Sequence, residues 1–521
     1  MKNTPAMADY ELRHIEALRK DLAGCTVLLK KDGSFPLEKP CTLAAYGSGV
    51  RRTIRGGTGS GEVNSRYSVT IEEGLQQAGF TLTGMEWHTG YEQARKKAHK
   101  AFLKQLKKDA KAVKQNFILY GMGKAMPEPE YNLPLNAEGD AAIYVVSRIS
   151  GEGNDRTPLK GDIRLTDSEV RDILALDKKF TRFMLVLNVG GVVDLSPVMS
   201  VRNILLLSQL GVETGGALAD ILLGKANPSG KLTTTWAAFE EYPEMPDFED
   251  MNETRYREGI YVGYRYFDTF RKPALFPFGH GLSYTEFRLG AVAVEANGAQ
   301  ITVRTFVENI GALAGRQVVQ VYLSKPSGKF DAPWQELCAF AKTHELAPGE
   351  TESVTCSFTL PEMAAYDTET ASYILEAGDY LVRVGVSSVE TAPAAVLHLD
   401  KTVTTLQANN VLGSTDFTDL TAPASTMERP AGVPVIEIDP VAIACETVAY
   451  DRTEEVLPEV DALTKEDAAL LLIGDFDPNA KGFASMIGTA GHHVCGAAGE
   501  SCDKISGFPF LIMADGPAGL R

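Results

Sequence analysis

Short apolar runs alternate with helical spacings along the first 285 residues. The runs are rich in β-branched and aromatic residues, and they predict buried strands within residues 25–37, 41–49, 116–123, 141–150, 182–190 and 201–210. Apolar residues at helical spacing predict helices over residues 9–23, 70–79, 90–114, 166–180 and 215–224. Thr166 and Glu169 have the spacing of a capping box at the start of one of these helices. Strands that alternate with helices indicate a parallel sheet covered on both faces.

The pattern changes after Leu282. Short strands with polar alternation and intervening turn residues predict a small antiparallel β-sandwich over 286–405. The next residues are rich in Ser, Thr, Pro and Ala, and we expect a linker over 406–454. Helical spacing returns from Thr464, and the apolar run Phe510–Met513 predicts a last buried strand before a turn-rich loop.

Composition indicates a soluble protein with more than one domain. The chain has 521 residues, whereas single cores stop growing near about 250–300 residues. A net charge of −17 disfavours nucleic acids and anionic membrane surfaces as partners. No apolar run approaches the length of about 18 residues that a membrane span needs, and the start of the sequence lacks the apolar core of a signal peptide. We therefore expect a cytoplasmic protein.

The cysteines do not suggest a metal site or a disulfide framework. Their number is odd, their spacing fits no common zinc pattern, and they are Cys25, Cys41, Cys338, Cys356, Cys445, Cys495 and Cys502. His492 and His493 lie near the last pair without a clean ligand spacing. We interpret the cysteines as thiols in a reducing compartment, and we expect neither a metal nor a cofactor.

The stretch "SRISGEGNDR" at 147–156 is the first candidate for chemistry. Glu152 lies between two glycines just beyond the carboxyl end of a predicted parallel strand, where α/β sheets bind their ligands. The glycines leave the carboxylate unshielded. Asp155 and Arg156 would suit one another as an ion pair. The alternative interpretation is a solvated acidic loop without a catalytic role.

Two further glycine-rich stretches are candidates. "RGGTGSGEV" at 55–63 contains Ser60 but has neither the dinucleotide spacing nor the Lys-Ser/Thr of a phosphate loop, so close packing on a ligand or on a neighbouring domain fits equally well. "ADGPAGLR" at 514–521 contains Asp515 after the terminal apolar run. This Asp is either a turn former or an acceptor for two sugar hydroxyls, since a carboxylate offers two oxygens.

Several aromatic residues could suggest a surface for stacking on carbohydrate. They are Tyr261, Tyr264, Tyr266, Trp236 and Trp334. We expect core and interdomain packing for the first four, and a buried position in the β-sandwich for Trp334.

Together, these stretches resemble the family 3 glycoside hydrolases of the β-glucosidase kind. The resemblance extends over nearly the whole chain and includes "NPSGKLTTTW" (227–236), "YVGYRYFD" (261–268) and "FPFGHGLSYTEF" (276–287). It implies an α/β sandwich domain over 1–285, a fibronectin type III-like domain over 286–405, and the incomplete start of a (β/α)8 TIM barrel over 455–521. This order is the circularly rearranged one, and it implies that the chain lacks the barrel beyond its first strand.

The resemblance also implies a retaining mechanism with two carboxyl groups. Glu152 matches the family's acid/base, Asp515 matches an Asp that binds sugar hydroxyls, and Ser60 is a further substrate-binding candidate. The family's nucleophile lies outside this sequence, so we expect the chain alone to be inactive. The implied substrates are small β-glucosides or oligosaccharides, and a homo-oligomer is a further expectation. The alternatives are a β-xylosidase of the same family and a non-catalytic carbohydrate-binding or scaffolding protein.

Overall fold

A computed structural model divides the chain into two compact units. The first comprises Met1–Lys96 and Pro127–Val448, and the second comprises Lys97–Met126 and Ala449–Arg521. The structure describes residues 7–58, 65–121, 124–150, 155–244, 250, 252–410, 413, 415–423, 429–448, 456–473, 489–494, 499–502 and 508–514.

The helices of these residues include all five predicted in the first 285 residues. In chain order they are α1 (Asp9–Asp21), α2 (Ile71–Gln77), α3 (Met85–Ala112), α4 (Phe117–Gly121), α5 (Asp167–Lys179), α6 (Thr214–Leu222), α7 (Tyr264–Thr269), α8 (Pro458–Asp461), α9 (Lys465–Ile473) and α10 (Ala490–His493). Within the first 285 residues, α4 and α7 are additional to the predicted helices. The strand predicted over 116–123 is wrong, because this run forms helix α4. A short apolar run does not distinguish a strand from a helix by its periodicity.

The first sheet has six strands. They are β1 (Val27–Lys30), β2 (Thr42–Tyr46), β3 (Thr81–Thr83), β4 (Ala141–Arg148), β5 (Phe183–Val189) and β6 (Ile204–Leu206). Their order is β1-β6-β5-β4-β2-β3. All neighbours are parallel except β1 and β6, which are antiparallel. The predicted α/β fold with a largely parallel sheet is therefore confirmed.

Hydrophobic clusters cover both faces of this sheet. Tyr144 of β4 belongs to the cluster that contains Leu176 of α5. Its neighbour Ile143 belongs to the opposite cluster, together with Leu75 of α2 and Leu218 of α6. Because successive side chains of a strand point to opposite faces, a strand covered on both sides is apolar throughout rather than alternating.

The second part of the first unit is a β-sandwich. Its strands within 286–407 are β7 (Phe287–Leu289), β8 (Ala293–Asn297), β9 (Gln300–Asn309), β10 (Val318–Ser324), β11 (Glu336–Lys342), β12 (Thr351–Thr359), β13 (Ala365–Asp367), β14 (Ser372–Leu375), β15 (Gly378–Gly385), β16 (Thr391–Leu399) and β17 (Val403–Gln407). Two short strands later in the chain, β18 (Val435–Ile438) and β19 (Glu446–Thr447), pair with them. One sheet has the order β11-β10-β15-β16-β18, a second contains β12-β9-β7 with β8 on β9, and a third has the order β13-β14-β17-β19. Within 406–454, β18 pairs in parallel with β16.

Strand β10 is buried along its whole length because its outer face packs on the α/β part. Tyr322 of β10 contacts Tyr264 edge to face at 6.1 Å between ring centroids. The amide nitrogen of Gln320 donates to the carbonyl oxygen of Gly279 at 3.1 Å. Tyr264 also stacks on Phe278, so its role is interdomain packing, as predicted.

Burial was also predicted for four other aromatic residues, and the structure confirms it for three of them. Trp236, Tyr261 and Tyr266 are buried, which confirms their role in packing. Trp334 is 38% exposed, so its predicted burial is wrong. It lies in the connection between β10 and β11, and the guanidinium carbon of Arg383 lies 5.0 Å from its ring.

The second unit contains a two-stranded antiparallel sheet of β20 (Gly499–Cys502) and β21 (Leu511–Ala514). Strand β21 confirms that the terminal apolar run is extended, but Leu511, Ile512 and Met513 are exposed. Within the described ranges, no helix has both the length and the apolar character needed to cross a bilayer.

Candidate active site

All three site residues expected from the sequence lie outside the described residues. Ser60 falls in 59–64, Glu152 in 151–154 and Asp515 in 515–521. The residues that flank Ser60 and Glu152 are described, and they belong to the first unit. Asp515 follows β21, which belongs to the second unit.

The two glycine-rich loops of the first unit start from neighbouring parallel strands. Strand β2 ends at Tyr46, which pairs with Tyr144 of β4, and β4 continues to Arg148. Carboxyl ends of parallel strands meet at one edge of a sheet, where α/β proteins bind ligands. The stretches that contain Ser60 and Glu152 therefore leave the sheet at the same edge.

The flanks of the two loops are in direct contact. The backbone N–H of Thr58 donates to the carbonyl oxygen of Ser150 at 3.3 Å. A Cβ atom placed on Gly57 would lie 2.7 Å from the same oxygen, so no other residue fits without a shift. The close packing that the sequence left as an alternative for the first loop is thus present at its described end.

Asn188 fixes the entry of the loop that contains Ser60. Its side-chain oxygen accepts from the N–H of Ile54 at 2.7 Å, and its side-chain nitrogen donates to the carbonyl oxygens of Ile54 at 2.9 Å and Ser208 at 2.7 Å. Asn188 is fully buried in the apolar strand β5. Sequence analysis missed this residue, although a single amide in "FMLVLNV" is itself a sign of a buried hydrogen-bonding role.

A buried ion pair holds the carboxyl end of β4. The two terminal guanidinium nitrogens of Arg148, Nη1 and Nη2, donate to Glu169 at 2.9 and 2.6 Å. Glu169 also accepts from the backbone N–H of Thr166 at 2.8 Å, so the predicted capping box is confirmed. The neighbouring carboxylate raises the pKa of Arg148, so the guanidinium stays charged despite its burial. The start of α5 and the end of β4 are thus joined through one carboxylate.

Arg156 pairs with Asp162, not with Asp155 as the sequence suggested. The Arg156 Nε donates to Asp162 Oδ1 at 2.7 Å, and its Nη1 donates to the carbonyl oxygen of Val192 at 2.7 Å. Asp155 is exposed and forms no ion pair with Arg156. In an extended segment the side chains of adjacent residues point away from each other, so Asp155 does not face Arg156. A turn at 161–163 instead brings Asp162 close to Arg156. Nothing in the sequence marked Asp162.

Glu128 is a titratable group near β4 that sequence analysis also missed. Its carboxylate accepts a hydrogen bond from the hydroxyl of Tyr91. Burial, followed by the negative charge of Glu169, raises the pKa of Glu128 to about 7, although the charge of Arg148 opposes this shift. One arginine therefore faces two carboxyl groups beneath the edge of the sheet, and one of these two groups titrates near neutral pH.

Two buried donors next to residues 151–154 have no acceptor among the described residues. They are the hydroxyl of Ser150 and the Nη2 of Arg156. A Cβ atom on Gly191 would lie 3.1 Å from Arg156 Nη1 and 3.6 Å from the Ser150 hydroxyl. Ser150 and Arg156 flank residues 151–154 on opposite sides in the sequence, but both side chains lie against Gly191. Such donors suit an oxygen-rich acceptor.

The described residues contain no group of three His, Cys, Asp or Glu side chains placed to hold a metal ion. The geometry is instead that of a loop anchored at both ends: Ser150 binds Thr58, and Arg156 binds Asp162. It brings the flanks of Ser60 and Glu152 together. A carboxyl group at the carboxyl edge of such a sheet can exchange a proton with a bound ligand.

Comparison with known protein families gives two matches. Residues 26–284 match the glycosyl hydrolase family 3 C-terminal domain. Residues 317–388 match the fibronectin type III-like domain.

Individual relatives agree with these matches. The chain is 34% identical to beta-glucosidase A of Butyrivibrio fibrisolvens, over 78% of this chain and 53% of that protein. It is 30% identical to a beta-glucosidase of Ruminococcus albus, over 95% of this chain and 53% of that protein. The structure of beta-glucosidase 3B from Thermotoga neapolitana in complex with alpha-D-glucose matches with a TM-score of 0.64 and 34% identity, over 76% of this chain and 55% of that one.

This chain spans about half the length of the curated relatives it matches. The similarity covers both the α/β part, in which the two glycine-rich loops meet, and the β-sandwich that follows it. The chain therefore belongs to glycoside hydrolase family 3, and it carries the family's C-terminal α/β domain followed by a fibronectin type III-like domain.

Proposed function

We propose that this chain is part of a retaining β-glycoside hydrolase, most directly a β-glucosidase, and that Glu152 is its acid/base. The observation that carries the proposal is the contact between Thr58 and Ser150, which joins the two glycine-rich loops at the carboxyl edge of the sheet. The relatives named beta-glucosidase support glucose as the proposed sugar. Small β-glucosides or oligosaccharides are the proposed substrates, and the reaction needs no cofactor.

The proposed reaction has two steps. In the first, a carboxylate supplied by another part of the enzyme attacks the anomeric carbon, while the Glu152 carboxyl donates its proton to the leaving oxygen. In the second, the Glu152 carboxylate takes a proton from water, and the water oxygen displaces the attacking carboxylate from the anomeric carbon. The two carboxyl groups must lie about 5–5.5 Å apart for this retaining chemistry.

Asp515 and Ser60 are proposed to bind the sugar rather than to react. An ionised Asp515 would accept hydrogen bonds from two adjacent hydroxyls, because its carboxylate has two acceptor oxygens. The hydroxyl of Ser60 would contact the same sugar, on a loop whose entry is fixed by Asn188. Asn188 and Gly57 support this role because they anchor the loop close to the Glu152 stretch.

A Glu152→Ala variant of the natural gene product tests the acid/base assignment. Without this carboxyl, hydrolysis of cellobiose and alkyl glucosides should fall by about 10²-fold or more, because the leaving oxygen is no longer protonated. The rate of the first step with dinitrophenyl glucoside should fall much less, because dinitrophenol is acidic enough to leave as an anion without a proton from Glu152. Added azide needs no base, so it should restore turnover and give β-glucosyl azide as the product.

Asp155→Ala is the matched control, since Asp155 is an exposed acid on the same loop. It should have nearly wild-type kinetics and no azide effect. The acid/base assignment is wrong if Glu152→Ala hydrolyses cellobiose within a few-fold of the wild type. Parallel assays with an aryl β-xyloside distinguish a β-xylosidase from a β-glucosidase. If the natural gene product hydrolyses no aryl glycoside, a non-catalytic carbohydrate-binding protein is favoured.

A further inference from the structure

A ring of hydrogen bonds closes residues 156–162 at the base of the Glu152 loop. One oxygen of the Asp162 carboxylate accepts from Arg156 Nε at 2.7 Å. The other accepts from the backbone N–H of Thr157 at 2.6 Å and from its hydroxyl at 2.9 Å. A single carboxylate therefore organises the residues that follow the Glu152 stretch. Hydrogen bonds to a charged group are stronger than those between neutral groups.

The ring is tied to the core of the sheet on two sides. The backbone carbonyl oxygen of Asp162 accepts from Arg148 Nε at 2.9 Å, and Arg148 is itself paired with buried Glu169. The Arg156 guanidinium donates to the carbonyl oxygen of Val192, just beyond β5. The ring thus has a fixed position relative to β4, β5 and the start of α5.

The other end of the loop is fixed by different bonds. Ser150 accepts from the backbone of Thr58, and both Ser150 and Arg156 lie against Gly191. The stretch that contains Glu152 therefore starts and ends at residues whose positions are determined by the sheet.

We propose that Asp162 is a positioning residue that, through Arg156 and Thr157, sets where the Glu152 carboxyl meets the leaving oxygen. This inference rests on the proposed function of Glu152. Proton transfer needs a heavy-atom distance of about 2.6–3.2 Å, and a displacement of about 1 Å costs up to about 10²-fold in rate. Loss of the Asp162 charge should therefore weaken protonation of the leaving group more than it weakens attack on the sugar.

Asp162→Asn in the natural gene product is the direct test. The amide keeps the shape of the carboxylate but offers only one acceptor oxygen, so either Arg156 or Thr157 loses its partner. The measurement is kcat/KM for methyl β-glucoside and for dinitrophenyl β-glucoside. We expect the ratio of the two values to fall by about tenfold or more, because only the first substrate needs a proton.

A merely structural role would not move this ratio. A partly unfolded enzyme loses activity on both substrates equally, since its active fraction falls. Asp167→Asn is the matched control, because Asp167 pairs with exposed Lys160 at 2.6 Å near the same loop. Its ratio should equal that of the wild type. Exposed pairs of this kind contribute little to stability.

Gly191→Ala is a second variant that leaves Asp162 in place. Its new methyl group would meet Arg156 Nη1 at 3.1 Å and should displace the guanidinium, which lowers the ratio in the same direction by a smaller factor. This variant decides the question if Asp162→Asn does not fold.

The two proposals fail in different ways. If Glu152→Ala shows the leaving-group dependence but folded Asp162→Asn and Gly191→Ala keep the wild-type ratio, the positioning role is overturned and the acid/base assignment stands. If Glu152→Ala itself shows no leaving-group dependence, the proposed function fails and the positioning role fails with it.

Discussion

Strands β4 and β21 are similar in sequence but differ in their surroundings. Both are short apolar runs followed by a glycine-rich loop that carries a candidate site acid, Glu152 or Asp515. Every residue of β4 is buried. In β21, Leu511, Ile512 and Met513 are 42%, 39% and 48% exposed.

The difference comes from the neighbours and not from the strands. Strand β4 lies between β2 and β5, and hydrophobic clusters cover both of its faces. Strand β21 pairs with β20 in a two-stranded sheet, and the described part of the second unit leaves its apolar side chains exposed. The apolar pattern thus predicts an extended backbone, whereas burial depends on which other elements cover it.

Matched truncations of two isoleucines give the largest effect expected from this comparison. Ile143→Ala should lower the free energy of unfolding by about 2–5 kcal/mol, because Ile143 is fully buried and its loss leaves a cavity. Ile512→Ala should change it by less than about 1 kcal/mol, because the side chain is already partly in water.

Urea unfolding followed by far-ultraviolet circular dichroism measures this difference, because its signal comes from the helices and strands of both units. A shift for Ile512→Ala as large as the shift for Ile143→Ala would contradict the contrast between the two strands.

A smaller effect is expected from Glu128, a half-buried carboxyl group that interacts with Arg148 of β4. The pKa of Glu128 is raised to about 7, so the folded state keeps its proton at pH values where the unfolded chain has lost it. Stability from this group is present below about pH 4.5 and is lost as pH rises towards 7, with a total on the order of 1–3 kcal/mol. Glu128→Gln removes this dependence.

The comparison is made at pH 5 and pH 8 against Glu466→Gln, since Glu466 is exposed on α9 of the second unit. Relative to the wild type, Glu128→Gln should be more stable at pH 8 than at pH 5. Glu466→Gln should show no such change. An equal response of the two variants would mean that Glu128 is not a buried titrating group.

Much of the first unit could be predicted because its signals are local. Thr166 and Glu169 are three residues apart, and they form the predicted capping box. Most buried strands followed from their apolar runs. Residues 116–123 did not, because a short apolar run is compatible with a helix, and the structure has α4 there.

The bonds that build the candidate site could not be predicted, because they join residues distant in sequence. Glu169 was expected only to cap α5, but it also binds Arg148, which lies 21 residues earlier. Arg156 was paired with its neighbour Asp155, whereas the fold returns Asp162 to it. The exposure of Trp334 depends equally on the packing between two domains. The roles proposed for Glu152, Asp515 and Ser60 follow from the family resemblance, and the contact between Thr58 and Ser150 supports those of Glu152 and Ser60.

The central claim is that this chain supplies the acid/base of a retaining β-glucosidase whose nucleophile lies outside residues 1–521. It is tested most directly by hydrolysis of dinitrophenyl β-glucoside, measured for the natural gene product and for purified residues 1–521. We expect turnover at about 1–10³ per second for an active natural enzyme, and negligible turnover for residues 1–521, because the proposed mechanism takes its attacking carboxylate from another part of the enzyme. Turnover at enzyme-like rates by residues 1–521 alone would contradict the claim.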